Sequence, residues 1–300
     1  MKKNIAVVGC GHWGRNLVRN FSELGALVAV CDPNSELAQL YAEEYSADNL
    51  SFEAILASSD IEGVVLAVPA PLHASMAMAV MDAGKHVYVE KPLAMNSSEA
   101  EAMIMSSRKN DVQLMVGHLL QYHPVFMAVR ELVQSGELGS LSYVYSNRLS
   151  FGKVRSEENV IWSFAPHDIS MILSLTGQEP KLVKVESSSI LQSDIADTAI
   201  IHMEFKSTLK AHISVSWLHP FKEQKLIVVG EDAMVVFDDT KPWNDKLALY
   251  RHSVKFSEGL PSLEKAEAEY LEVSQSEPLR NECQHFLDVV SGNTVPLTDG

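Results

Sequence analysis

The feature that most restricts the fold is an alternation running through the first 120 residues: short apolar runs separated by stretches of helical periodicity. Residues 5–8, 27–31, 63–68, 86–89 and 112–116 read as strands. Residues 12–24, 35–45, 72–83 and 97–108 read as the helices between them. Gly84 suits the left-handed position that ends a helix. Asn96 with Glu99 three residues on resembles a capping box, with Asn in place of Ser or Thr. Strands that are apolar at nearly every position are buried on both faces, and helical crossovers make them parallel. The expectation is a doubly covered parallel sheet.

Past residue 120 the period changes. Residues 122–134 and 167–175 still read as helix, but Leu209, Ala211, Ile213, Val215 and Trp217 alternate with Lys210, His212, Ser214 and Ser216. Residues 199–205, 226–229 and 234–237 are further strand candidates. Alternation with period 2 indicates antiparallel strands with one face more polar. The predicted fold class is therefore α/β: an N-terminal Rossmann dinucleotide-binding domain (1–120), then a C-terminal α+β domain with a largely antiparallel sheet (121–300). The Glu- and Ser-rich stretch 253–277 is expected to be the least ordered.

Composition excludes several classes. Hydrophobic content of 46% with 21% charged residues is wrong for disorder. A net charge of −15, shared by both halves, argues against nucleic-acid binding. No apolar run approaches the roughly 18 residues of a membrane span, and the run after Lys3 is too short for a secretion signal. Cys10, Cys31 and Cys283 form neither a disulfide framework nor a metal spacing. His118, His123, His212 and His219 are scattered without ligand spacing, so no metal is expected. The methionines on the helices are most simply core fillers. These features point to a cytoplasmic chain with reduced thiols.

Gly9-Cys10-Gly11-His12-Trp13-Gly14 fits G-x-G-x-x-G, with a strand before it and a helix opening inside it. The glycines permit a tight turn, close approach of backbone to a pyrophosphate, and helix–strand packing. The helix N-terminus then favours the phosphate charge. Asp32 ends the second strand, 18 residues beyond Gly14, where a carboxylate accepts from both ribose hydroxyls. A glycine-rich turn with a surface Asp is the competing reading. Asp32 disfavours a 2′-phosphate, and no Arg or Lys follows it before Lys85, so NAD is expected over NADP.

Glu90-Lys91-Pro92 follows the 86–89 strand at the carboxyl edge of the sheet, where ligands bind in open α/β folds. An ammonium there suits a substrate hydroxyl and its developing alkoxide. A surface Lys–Glu pair is the plainer alternative for the tripeptide alone. Together with Val68-Pro69-Ala70-Pro71-Leu72-His73 and the run from Ala83 to Ala94, these segments resemble the glucose–fructose oxidoreductase/inositol dehydrogenase (Gfo/Idh/MocA) family, and the pattern 151–159 running on to 162–168 looks like its nucleotide-sugar 3-dehydrogenase-like branch. The resemblance extends over essentially the whole chain. It implies that Lys91 is catalytic, and that Gly9, Gly11, His12, Trp13, Gly14, Asp32, Pro69, His73, Glu90 and Lys91 surround the cofactor. It also implies a second domain used for substrate and subunit contact, a homodimer or homotetramer, and further chain in a last helix beyond Gly300.

His167-Asp168 matches the family's His-Asp segment, which implies that His167 is the general acid/base; a helix-capping His is the alternative. Imidazole suits that task near neutral pH. Relatives often carry an Asp four residues earlier, where this chain has Ser163. Lys91, His118, Tyr122, Arg148, Arg155, Asn159, Trp162, Ser163 and His167 are the expected substrate residues, although an ordinary polar loop fits 148–162 equally well. The implied activity is NAD-dependent oxidation of a secondary alcohol to a ketone, or the reverse, at C3 of a UDP-N-acetylhexosamine or its uronic acid. Inositol or a free sugar is the alternative substrate. A dinucleotide-binding sensor or scaffold is the alternative class.

Overall fold

The first sheet is assembled from β1 (Ile5–Val8), α1 (Gly14–Glu23), β2 (Leu27–Cys31), α2 (Ser35–Tyr45), β3 (Asp48–Asn49), α3 (Phe52–Ala57), β4 (Gly63–Leu66), α4 (His73–Asp82), β5 (His86–Glu90), α5 (Ser97–Lys109) and β6 (Leu114–Gly117). The computed structural model describes residues 4–156, 158–257 (without the Phe256 side chain) and 259–300. Strand order is β3-β2-β1-β4-β5-β6, and every pairing is parallel. The order reverses between β1 and β4, so the loops leaving these strands diverge and open a crevice at the carboxyl edge. Alternate strand residues feed separate cores: Ile5, Val7, Val65 and Tyr88 on one face, Ala6, Val8, Val64 and Val87 on the other. Asn34, Ser51 and Asn96 cap α2, α3 and α5 through their side-chain oxygens, which is why these helices start where they do.

The second unit, His123–Ser276, opens with α6 (Pro124–Gln134), β7 (Leu141–Phe151) and α7 (Val160–Thr176). Then follow β8 (Leu182–Ser188), β9 (Thr198–Glu204), β10 (Lys210–Ser216), β11 (Leu218–Gly230), β12 (Met234–Asp238), β13 (Leu247–Tyr250), β14 (Ser253–Ser257), β15 (Leu260–Glu264) and β16 (Glu269–Tyr270). Eight of these strands form a sheet ordered β16-β13-β12-β11-β7-β10-β9-β8. All its neighbours are antiparallel except β7 and β10. The alternation read at 209–217 holds: Leu209, Ala211, Ile213, Val215 and Trp217 are buried. α6 and α7 cover that face.

Two expectations are corrected. The helix expected at 167–175 starts at Val160, because Asn159 accepts from the Ile161 and Trp162 amides and caps it there; Pro166 is carried inside. Within the stretch 253–277, β14 pairs with β15, and β16 pairs with β13. The boundary 121–300 also fails at its far end. The last helix, α8 (Pro278–Val290), and the tail after it belong with the first unit, the chain up to Tyr122. The cause is apolar: Leu279, Cys283, Phe286 and Leu287 share a core with Phe21 and Tyr88. The Phe286 ring lies 6.2 Å from Phe21, edge-on, and 5.7 Å from Tyr88. Beyond α8, the Val116 amide donates to the Thr298 carbonyl at 2.8 Å, so the tail runs beside β6.

Candidate active site

In the first unit the crevice is floored by the turn between β1 and α1. Gly9 has φ +92°, and a Cβ there would lie 2.5 Å from the Ala67 carbonyl oxygen. A Cβ on Gly14 would fall 1.8 Å from the Gly9 carbonyl oxygen. Both glycines are therefore demanded by packing alone. Gly11 differs: a Cβ there meets nothing within 4 Å, so it faces open space over the turn. His12 and Trp13 are exposed beside it.

Asp32 lies where the second strand ends. One carboxylate oxygen accepts from the Cys10 amide at 2.7 Å and the other from the Asn34 amide at 2.9 Å. A carboxylate offers about four lone-pair sites, so two remain for a ribose diol. Burial, reinforced by Asp32, pushes the Cys10 thiol up to about 12, which leaves it inert. The turn, the open space at Gly11 and the half-used carboxylate fit a dinucleotide.

Across the crevice, His73 contacts the Val68 carbonyl at 2.8 Å and the Pro92 carbonyl at 2.7 Å. It ties the loop after β4, with Pro69, to the Glu90-Lys91-Pro92 segment. The register pairs Glu90 with Gly117, so Lys91 and His118 leave neighbouring parallel strands side by side. Burial, with the Lys91 ammonium nearby, pushes His118 down to about 4, so it is neutral over the ordinary range. Tyr122 does not join them. Its ring is buried in the α8 core, and its hydroxyl lies 3.3 Å from Thr298 Oγ1; the substrate contact expected of it is replaced by packing.

In the second unit, α7 carries Trp162, Ser163, His167 and Asp168. Ser163 and His167 stand four residues apart, hence on one helix face. Ser163 is buried, and its hydroxyl has no hydrogen-bond partner among the described residues. Trp162 is 41% exposed. Asp168 faces the sheet, accepting from Ser146 Oγ at 2.6 Å and Arg148 Nε at 2.7 Å. Arg148, expected to meet substrate, is thus committed to a buried ion pair that fastens α7 to β7. Asn159 is likewise committed to its capping role. Arg155 pairs with Glu158 at 3.0 Å and stays more than one-third exposed.

Residues 3–118 match the oxidoreductase family with an NAD-binding Rossmann fold, and residues 126–236 match the Gfo/Idh/MocA C-terminal domain. The chain belongs to the Gfo/Idh/MocA oxidoreductase family. It is 27% identical to a UDP-N-acetylglucosamine 3-dehydrogenase from Acidithiobacillus ferrooxidans over 98% of this chain and 90% of that protein. A solved structure of the latter superposes with TM-score 0.86, covering 99% of this chain and 91% of that one. An inositol 2-dehydrogenase from Rhizobium meliloti is 25% identical over 74% of this chain and 71% of its own length.

Within this family member, some groups escaped the sequence reading. Asp168 was named only as a neighbour of His167, and its partner Ser146 lies on a central strand that the alternation rule did not locate. Tyr88 lies within the strand expected at 86–89, and neither Gly117 nor Glu282 is singled out by the sequence. Only the apolar spacing of Leu279, Cys283, Phe286 and Leu287 could have announced the helix that carries Glu282.

Proposed function

We propose that the chain is an NAD-dependent dehydrogenase acting at C3 of a UDP-N-acetylhexosamine or its uronic acid. The observation that carries this reading is a match along nearly the full length to a relative of that named activity, in a chain that carries Lys91, His167 and Asp32. Lys91 hydrogen-bonds the reacting oxygen and stabilises the charge that develops on it. His167 takes the hydroxyl proton. Bound NAD supplies the acceptor for the hydride. Ser163 stands where relatives often carry a carboxylate one helical turn before His167, and Asp168 faces the sheet, where Arg148 and Ser146 hold it. Asp32 selects NAD by accepting from the ribose diol and repelling a 2′-phosphate. We further propose a cytoplasmic homo-oligomer.

The test is near-UV absorbance of the reduced cofactor on mixing enzyme and NAD with UDP-N-acetylglucosamine, its uronic acid, or inositol. Reduction with a UDP-sugar, abolished in Lys91→Met and His167→Ala, is expected. Turnover of inositol with no inhibition by UDP transfers the assignment to the inositol dehydrogenases. NAD binding without turnover of any sugar leaves a sensor.

A further inference from the structure

Glu90 ends β5, yet its side chain turns into the protein rather than pairing outward with a lysine on the surface. One carboxylate oxygen accepts from Trp13 Nε1 at 2.6 Å and from the Tyr88 hydroxyl at 3.1 Å. The other accepts from the backbone amide of Lys91 at 3.2 Å. Room for it exists because residue 117, opposite in the register, is glycine. A Cβ there would lie 2.9 Å from the carboxyl carbon and 2.9 Å from Oε2. A single buried carboxylate therefore holds an indole of the dinucleotide turn and the main chain of Lys91.

A second carboxyl, Glu282 of α8, is fully buried close by, and burial with the field of Glu90 pushes it well up. Two buried carboxyls so placed do not both ionise. Burial pushes the Glu90 carboxyl up as well, but its three hydrogen bonds oppose that shift, so Glu282 is the one that holds its proton more firmly.

We propose that Glu90 is a positioning residue that ties the dinucleotide turn, through Trp13, to the presentation of Lys91, and that Gly117 is glycine to give it room. This rests on the reading of Lys91 as the group at the reacting oxygen. The indole contact means that displacement of the turn is felt at the lysine backbone through the Glu90 side chain.

The experiment uses the full chain in five forms: parent, Trp13→Phe, Glu90→Gln, the Trp13→Phe/Glu90→Gln double variant, and Gly117→Ala. The first readout needs no turnover. Subtracting the Trp13→Phe emission spectrum isolates the Trp13 contribution, which is expected to shift in both Glu90→Gln and Gly117→Ala. Loss of a hydrogen bond to a charged group is worth about tenfold or more, so NAD affinity is expected to fall about tenfold in Trp13→Phe and in Glu90→Gln. Because they share one contact, the double variant is expected to bind NAD no more weakly than the singles. In turnover, Trp13→Phe acts chiefly on KM for NAD, whereas Glu90→Gln lowers kcat as well. Unchanged Trp13 emission in Glu90→Gln, or NAD losses that multiply in the double variant, overturns the proposal. Glu90→Gln is nearly isosteric, so the test survives a misfolded Gly117→Ala. Full turnover in Lys91→Met is a separate result: it removes the assigned chemistry and leaves emission and NAD titration to judge the tether.

Discussion

Gly11 and Gly14 stand three residues apart and are glycines for different reasons, which makes them separable by experiment. Gly14→Ala drives a methyl into the Gly9 carbonyl and is expected to prevent folding of the unit. Gly11→Ala meets nothing in the folded chain, so its stability is expected to stay within about 0.5 kcal/mol of the parent. The same methyl occupies space a pyrophosphate needs, so NAD affinity is expected to fall at least about tenfold. Thermal melting and NAD titration check both, and full NAD affinity in Gly11→Ala sinks the assignment of the turn. His118 gives a pH prediction. Its folded value of about 4 lies below its ordinary 6.5, so the unfolded chain binds the extra proton between those values. Stability then rises with pH across that window and is lost on acidification, by on the order of 1–3 kcal/mol. Urea titrations on either side of the window should show a smaller loss in His118→Asn; an identical loss refutes the burial argument. The turn and Asp32 were legible because their chemistry is local in sequence. Arg148 was not: its residue type suits phosphate, but Asp168, 20 residues on, commits it to an internal pair.

At the scale of elements, the parallel strands were legible because burial on both faces leaves a continuous apolar run, and their caps are single polar residues at fixed offsets. β7, at the centre of the second sheet, was not. Its outward Tyr143 and Tyr145 and buried polar Ser146 and Asn147 blur the alternation. The destination of α8 was equally hidden, since helical spacing tells which residues face a core and not which core. Phe286 makes that destination testable. It is fully buried against Phe21 and Tyr88, so Phe286→Ala is expected to cost about 3–5 kcal/mol. Leu297→Ala, at a residue 45% exposed, should cost no more than about 0.5 kcal/mol. The loss belongs to the dinucleotide-binding unit, so NAD should restore part of the melting temperature in Phe286→Ala by mass action. A loss below about 1 kcal/mol in denaturant titration contradicts the shared core.

The whole molecule offers one further surface, on the second sheet. The register places His202 opposite His212, Tyr145 opposite both His212 and Ile227, and Val236 opposite Ile227. All five lie on the face turned away from α6 and α7. Tyr143 and Tyr145 stack at 6.5 Å, and the Tyr143 hydroxyl lies 2.7 Å from His212 Nδ1. The patch is aromatic and branched, and its charged residues, Lys184, Glu186, Glu204, Lys210, Glu223 and the Lys225–Asp238 pair, stand around it. Such composition resembles the core of a protein–protein interface, where aromatic residues are enriched and charge is depleted. If the proposed homo-oligomer forms, this face is expected to meet a second copy in an isologous contact with Tyr145 and Ile227 near the centre. The net charge of −15 opposes association at low salt, so the oligomer should tighten as ionic strength rises. Central anchors of such interfaces are worth about 2 kcal/mol or more, so Ile227→Lys should weaken association about thirtyfold or more. The substituted residue is half-buried on an open sheet face, so the chain should still fold and bind NAD. Light scattering over a concentration series, at low and high salt, reads the outcome. A monomer at every concentration and salt, or an oligomer indifferent to Ile227→Lys, removes this face from the assembly.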